Sequence, residues 1–185
     1  VWLELQVTIA SWYASLSAAT TTSEAAPRVL VSERDLMSVA LFGGRSRAVK
    51  ATLEAFAECG AAVLPEVVLH VATSWEECLA RVVDSKRGQA GDEFAAGLGA
   101  EYFQELDERH SKLLRWYSSH GTLVITVRNA DVAPIGLHEA AAHALALLTA
   151  PDADYQPRPV TKAMMTDLLE TLWPAQPQAS MHALK

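Results

Sequence analysis

Three short runs of the chain, residues 28–32, 66–72 and 122–127, are rich in Val, Leu and Ile and lack the polar alternation of a strand with one wet face. Such runs belong to strands buried on both sides, as in a parallel sheet covered by helices. Between them, apolar residues recur at the helical intervals of three and four. Leu5, Ile9, Trp12, Tyr13 and Leu16 predict a helix over 5–16, and the small, polar stretch 17–27 reads as a loop. A second helix begins after Asp35, is interrupted by Gly43-Gly44, and resumes over 45–59. Ser74-Trp-Glu-Glu77 has the capping-box spacing that opens a helix at Trp75.

A long helix over 100–119 carries Phe103, Leu106, His110, Leu113, Leu114 and Tyr117 near one face, with Gly121 as its stop, and an alanine-rich helix follows over 135–148. Alternating strands and helices imply an α/β domain over 1–150, with a parallel sheet between helical layers. Prolines at 151, 157, 159, 174 and 177 leave room for one short helix over 161–173, so 151–185 is expected to be an otherwise flexible tail. Ligands of such sheets bind beyond the carboxyl ends of the strands, here Glu33-Arg34, Thr73 and Arg128-Asn129.

Charge narrows the ligand. The formal net charge is −7 and the pI near 5.3, an acidic balance that argues against broad binding to nucleic-acid polymers or anionic membranes. An anionic ligand therefore needs a local basic cluster, and Arg81, Lys86 and Arg87 supply one beside Gly88, Gly91, Asp92 and Glu93. Cations next to flexible glycines suit a lid that closes on a polyphosphate, although a solvated helix end has the same composition. Arg34 is suited to bidentate phosphate contact and Glu33 to holding the water shell of a magnesium ion. His138 and His143 imitate a zinc-protease helix but stand five residues apart, about 140° around the helix, where that motif needs four. Cys59 and Cys78 have no CxxC spacing and are expected to be reduced, partly buried thiols. With neither a bilayer-length apolar run nor a secretory leader visible, a soluble and cytoplasmic protein is expected, with a mitochondrial address as the other option.

In order and spacing, residues 3–134 resemble the deoxynucleoside kinases, the deoxycytidine, mitochondrial and insect enzymes more than the distant herpesviral thymidine kinases. Leu3-Glu-Leu-Gln6 is similar to the family's Phe-Thr-Phe-Gln, and Glu33-Arg34-Asp35 to its Glu-Arg-Ser. Ala72-Thr-Ser-Trp-Glu-Glu-Cys-Leu-Ala-Arg81 resembles the strand and helix that lead into its arginine-rich lid, and Glu101-Tyr-Phe-Gln-Glu-Leu-Asp-Glu-Arg-His110 the helix after the lid. The resemblance implies a three-layer P-loop kinase-like fold and transfer of the γ-phosphate of ATP, with Mg2+, to the 5'-hydroxyl of a deoxynucleoside. It also implies a homodimer formed through helices flanking the sheet.

By that resemblance Gln6 pairs with the base, with Ile9, Tyr13 and Val39 beside it, and Asp92 or Glu93 meets the sugar 3'-hydroxyl. Arg34 contacts the 5' oxygen and phosphates, Glu33 helps hold magnesium through water, and Arg81, Lys86 and Arg87 supply lid charge. Asn129 and Asp131 fall in the adenine-binding loop.

Several positions depart from the family pattern. Asp35 stands where the motif has serine, and the lid has an extra residue before Lys86. Val39 and Tyr13 replace the aspartate and arginine of deoxycytidine kinase, a loss that resembles the pyrimidine-preferring branch. The 185 residues contain no GxxxxGK[ST] loop, which in the family lies upstream of the base-binding glutamine. The chain, which begins at Val1, is accordingly expected to be the carboxyl-terminal portion of such a kinase and inactive alone. A thymidylate-type nucleotide kinase and a non-catalytic binding module are the competing expectations.

Overall fold

The computed structural model describes residues 35–43, 45–84, 99–128, 134–149 and 158–174. In chain order the elements are α1 Ser38–Gly43, α2 Arg47–Glu58, β1 Val63–Leu64, β2 Val67–Ala72, α3 Trp75–Asp84, α4 Ala100–Ser119, β3 Leu123–Arg128, α5 Pro134–Leu148, β4 Arg158–Pro159 and α6 Lys162–Leu172. None of these helices is long and apolar enough to cross a membrane.

Local chemistry accounts for where the helices start. The Ser46 hydroxyl accepts from the Val49 N–H to open α2, Ser74 from Glu77 to open α3, and Thr161 from Met164 to open α6. Each satisfies an amide that the first helical turn leaves without a partner. Gly121 ends α4 in the left-handed region, at φ 79°, where a side chain is strained.

The two long strands pair in parallel, Val67 opposite Leu123 through to Ala72 opposite Arg128. Two consecutive runs without polar alternation thus form the expected parallel pair, with α3 and α4 in the connection between them. Helix α4 packs on β3 and α5 packs on both strands. Val68 and Val124, partners on one face, adjoin the core. On the alternate positions Leu69, Val71 and Leu123 stay 36%, 42% and 44% exposed, so that face is only half covered.

The architecture is mixed α/β. Among the described residues the sheets are two pairs, β2–β3 in parallel and β1–β4 antiparallel. The small antiparallel pair joins Val63 to Pro159 and Leu64 to Arg158; two-residue strands give no periodicity to read. The strand expected over 28–32 and the helix expected over 5–16 lie outside the described residues.

The carboxyl-terminal helix was expected in a tail, yet it lies in the centre of the core. Met165, Leu168, Leu169 and Leu172 on α6, with Val160 before it, are buried against Met37, Ala40 and Leu41 of the α1 region, Leu53 and Ala57 of α2, and Leu113, Trp116 and Tyr117 of α4. The prolines that suggested a tail bracket this helix without entering it. Arg158 fastens its start, donating to His120 O at 2.7 Å and Pro65 O at 2.9 Å.

Arg109 crosses the seam between α4 and α1. It is 7% exposed, donates to Leu41 O at 3.0 Å, pairs with Glu105 at 2.6 Å, and stacks its guanidinium 3.8 Å from the Trp173 ring centroid. Trp173 in turn donates from Nε1 to Ala40 O at 2.6 Å.

Replacing Trp173 with Ala removes the ring, its hydrogen bond and the stacking partner of Arg109, and is expected to cost about 2–4 kcal/mol. A lower urea midpoint at unchanged slope would be the signature; an unchanged midpoint would show that α6 does not clamp the core. A smaller pair of substitutions tests the turn after α4. A Cβ on Gly121 would lie 2.9 Å from Arg158 Nη1, whereas one on Gly60, also at positive φ, meets nothing within 4 Å. Gly121→Ala is therefore expected to lower the melting temperature more than Gly60→Ala.

Candidate functional site

The rim of the parallel pair is where sequence reasoning places a ligand. Its described part comprises Ala72 at the end of β2, Thr73 and Ser74 after it, and the exposed Arg128 at the end of β3. Ser74 is committed to capping α3, and Glu76 and Glu77 occupy the first turn of that helix. The acidic first turn cancels the attraction that a helix start has for anions.

Of the site residues expected from sequence, the described structure contains two. Arg81, on α3, is exposed and forms an ion pair with Glu77 one turn earlier. Val39, expected beside the nucleoside, is partly buried and packs against the hydrophobic core. Gln6, Ile9, Tyr13, Glu33, Arg34, Lys86, Arg87, Asp92, Glu93, Asn129 and Asp131 lie outside the described residues, so the structure neither brings them together nor separates them. Among the described residues no group of three His, Cys, Asp or Glu side chains is placed to hold a metal ion.

Asp35, the described member of the charged triplet, caps the turn into α1. Its Oδ1 accepts from the Ser38 N–H at 2.9 Å, and the Ser38 hydroxyl donates to the Asp35 carbonyl at 2.7 Å. Its Oδ2 accepts from the Tyr117 hydroxyl. Burial pushes the Asp35 carboxyl above the ordinary carboxylate range, opposed by the hydrogen bonds from Tyr117 and Ser38.

This anchoring fixes its height on the sheet. Helix α4 turns directly into β3, with Thr122 N–H donating to Tyr117 O at 3.0 Å and Thr122 Oγ1 to Pro65 O at 2.7 Å. Tyr117 therefore lies beside the amino ends of β2 and β3. Helix α1 runs antiparallel to α4, since Asp35 reaches Tyr117 while Leu41 reaches Arg109, two turns earlier on α4. Asp35 thus sits toward the amino ends of the described strands, away from Ala72 and Arg128. The contact between Asp35 and Tyr117, 82 residues apart, has no signal in the sequence; Glu33 and Arg34 lie outside the described residues.

A second cluster lies where α4 crosses the sheet. His70 of β2 and His110 of α4 meet edge to face, and Thr126 Oγ1 of β3 lies 3.5 Å from His70 Nδ1. Burial pushes both imidazoles below their ordinary value; for His110 the neighbouring His70 adds to the effect, and the Asp107 carboxylate opposes it at both rings. Burial pushes the nearby Cys78 thiol up, against the opposing charge of Arg81. Cys59, expected to be partly buried, is exposed; both thiols are free. The periodicity of α4 already placed His110 on its inner side, and His70 falls in a run expected to be a buried strand, but their pairing has no signal in sequence. Buried Arg109 was missed outright, because an arginine between apolar positions reads as a solvent-facing residue.

No protein-family model, curated protein or solved structure matches the chain.

Asp35 binds its proton more tightly folded than unfolded, so its contribution to stability is present below the ordinary carboxylate pKa and is lost as pH rises through the higher folded value. Asp35→Asn should therefore gain on the wild type in melting temperature as pH rises from about 3.5 to 7. Tyr117→Phe should do the reverse, costing about 1–2 kcal/mol at neutral pH, where Asp35 Oδ2 loses its donor and only the Ser38 N–H remains, on Oδ1. Parallel melting curves for either variant and the wild type across that range would contradict the assignment.

Proposed function

We propose that the chain belongs to a deoxynucleoside kinase that favours pyrimidine nucleosides. The observation that carries this reading is the ordered series of matches along the sequence: Leu3-Glu-Leu-Gln6, Glu33-Arg34, the strand and helix ending at Arg81, and Glu101 to His110. Two parallel strands in sequence order, joined through α3 and α4, support it as the kind of framework on which such matches have meaning. Arg81 is exposed on α3 immediately before the basic and glycine-containing stretch, which agrees with a role in a lid. Its partner Glu77 would exchange it for phosphate when substrate arrives.

In this reading Gln6 orients the base, with Ile9, Tyr13 and Val39 shaping the surrounding surface, and Asp92 or Glu93 holds the sugar. Arg34 approaches the 5' oxygen. Arg81, Lys86 and Arg87 neutralise the charge that spreads over the transferring phosphoryl oxygens, and Asn129 and Asp131 border the adenine. A magnesium ion held through water by Glu33 supplies further charge neutralisation when ATP is bound. Catalysis of this kind is positioning and electrostatics, so losing one contact costs rate and affinity together. The same reading has two copies pairing through helices that flank the sheet.

The test is calorimetric titration of deoxythymidine, deoxycytidine and thymidine monophosphate into the 185-residue chain, alongside a phosphate-transfer assay with ATP and Mg2+. A deoxynucleoside is expected to bind, with Gln6→Ala weakening it about tenfold. Without a GxxxxGK[ST] loop the 185 residues are expected to transfer no phosphate, and transfer is expected once an upstream segment bearing that loop is joined. Binding of the monophosphate but not the nucleoside would select a nucleotide kinase, and binding of none would leave the kinase reading without support.

A further inference from the structure

The meeting of His70 and His110 has a consequence that does not depend on the kinase reading. Their ring centroids are 4.7 Å apart with planes at 88°, and the two residues belong to different elements, strand β2 and helix α4. The contact therefore bridges the sheet and the longest described helix. The groups around it come from α4, β3 and α3. Helix α4 contributes the exposed Asp107 one turn before His110, β3 contributes the neutral hydroxyl of Thr126, and α3 contributes Cys78 with Glu77 and Arg81 close to it.

We propose that this ring pair is a proton-operated latch between α4 and the sheet, seated while both imidazoles are neutral and loosened as they take up protons. Two neutral rings edge to face attract through their quadrupoles. A proton added to either ring puts a cation into a partly buried seam, and a second proton puts two cations about 5 Å apart. Asp107 offsets part of this repulsion from the solvent side. Burial and mutual proximity favour the neutral pair in the folded chain, so the unfolded chain binds more protons once the pH falls below the ordinary imidazole value. Acidification through that window therefore favours opening. Because α4 also carries Arg109, Trp116 and Tyr117 into the core, loosening it at His110 weakens the seat of α1 and α6 as well.

The experiment follows the side-chain nitrogen resonances of the histidines of the intact chain from pH 8 to 4.5, with melting temperatures at pH 7.5 and 5.5. In the wild type, His70 and His110 are expected to titrate below the ordinary imidazole value. His70→Gln should move the His110 midpoint upward. The melting temperature of the wild type should fall by about 3 °C or more across the two pH values, and that of His70→Gln/His110→Gln by clearly less. An unmoved His110 midpoint in His70→Gln, or an equal thermal shift in the double variant, would overturn the latch. Should the double variant not fold, the wild-type titration decides alone, since both rings titrating at the ordinary imidazole value would equally end the proposal.

Discussion

The guanidinium of Arg109 is the contact on which the arrangement of helices turns. A charge taken out of water must be paired and hydrogen-bonded or it destabilises the fold by several kcal/mol. Here Glu105 supplies the opposite charge, Leu41 O accepts a hydrogen bond, and the face of Trp173 covers what remains. Each partner comes from a different place: the same helix, the end of α1, and the residue just after α6. A short helix such as α1 leaves its last carbonyls without partners of its own. Arg109 and the Trp173 indole, which bond the carbonyls of Leu41 and Ala40, satisfy them from outside. Three helices are fixed by the one requirement that this cation be satisfied.

The parallel pair β2–β3 is less complete than the helical core beside it. One face runs into the core through Val68 and Val124, while Leu69, Val71 and Leu123 stay partly open on the other. Exposed apolar side chains on a parallel sheet are unusual, because such sheets are ordinarily covered on both faces. The described helices thus stabilise one side of the sheet firmly and the other weakly.

Asp35 shows how a motif can have two lives. As sequence it belongs to a charged triplet that resembles a kinase motif; as structure it is a helix cap and an acceptor for Tyr117. The anchoring to Tyr117 ties the start of α1 to the end of α4.

By itself the sequence determined the local elements. Apolar runs without alternation became β2 and β3, the one-face pattern over 100–119 became α4, and Ser74 capped α3 where its spacing to Glu77 said it would. These follow from forces acting within a few residues: burial periodicity, amide satisfaction at helix ends, and the freedom of Gly121. Tertiary structure alone decided that α6 belongs to the core, that Arg109 is buried, that Tyr117 takes Asp35 to the amino-end side, and that His70 meets His110. In each case the partner lies about 40 or more residues away, and which distant groups meet is set by packing the helices and satisfying buried charge together, a balance that no local window of sequence contains.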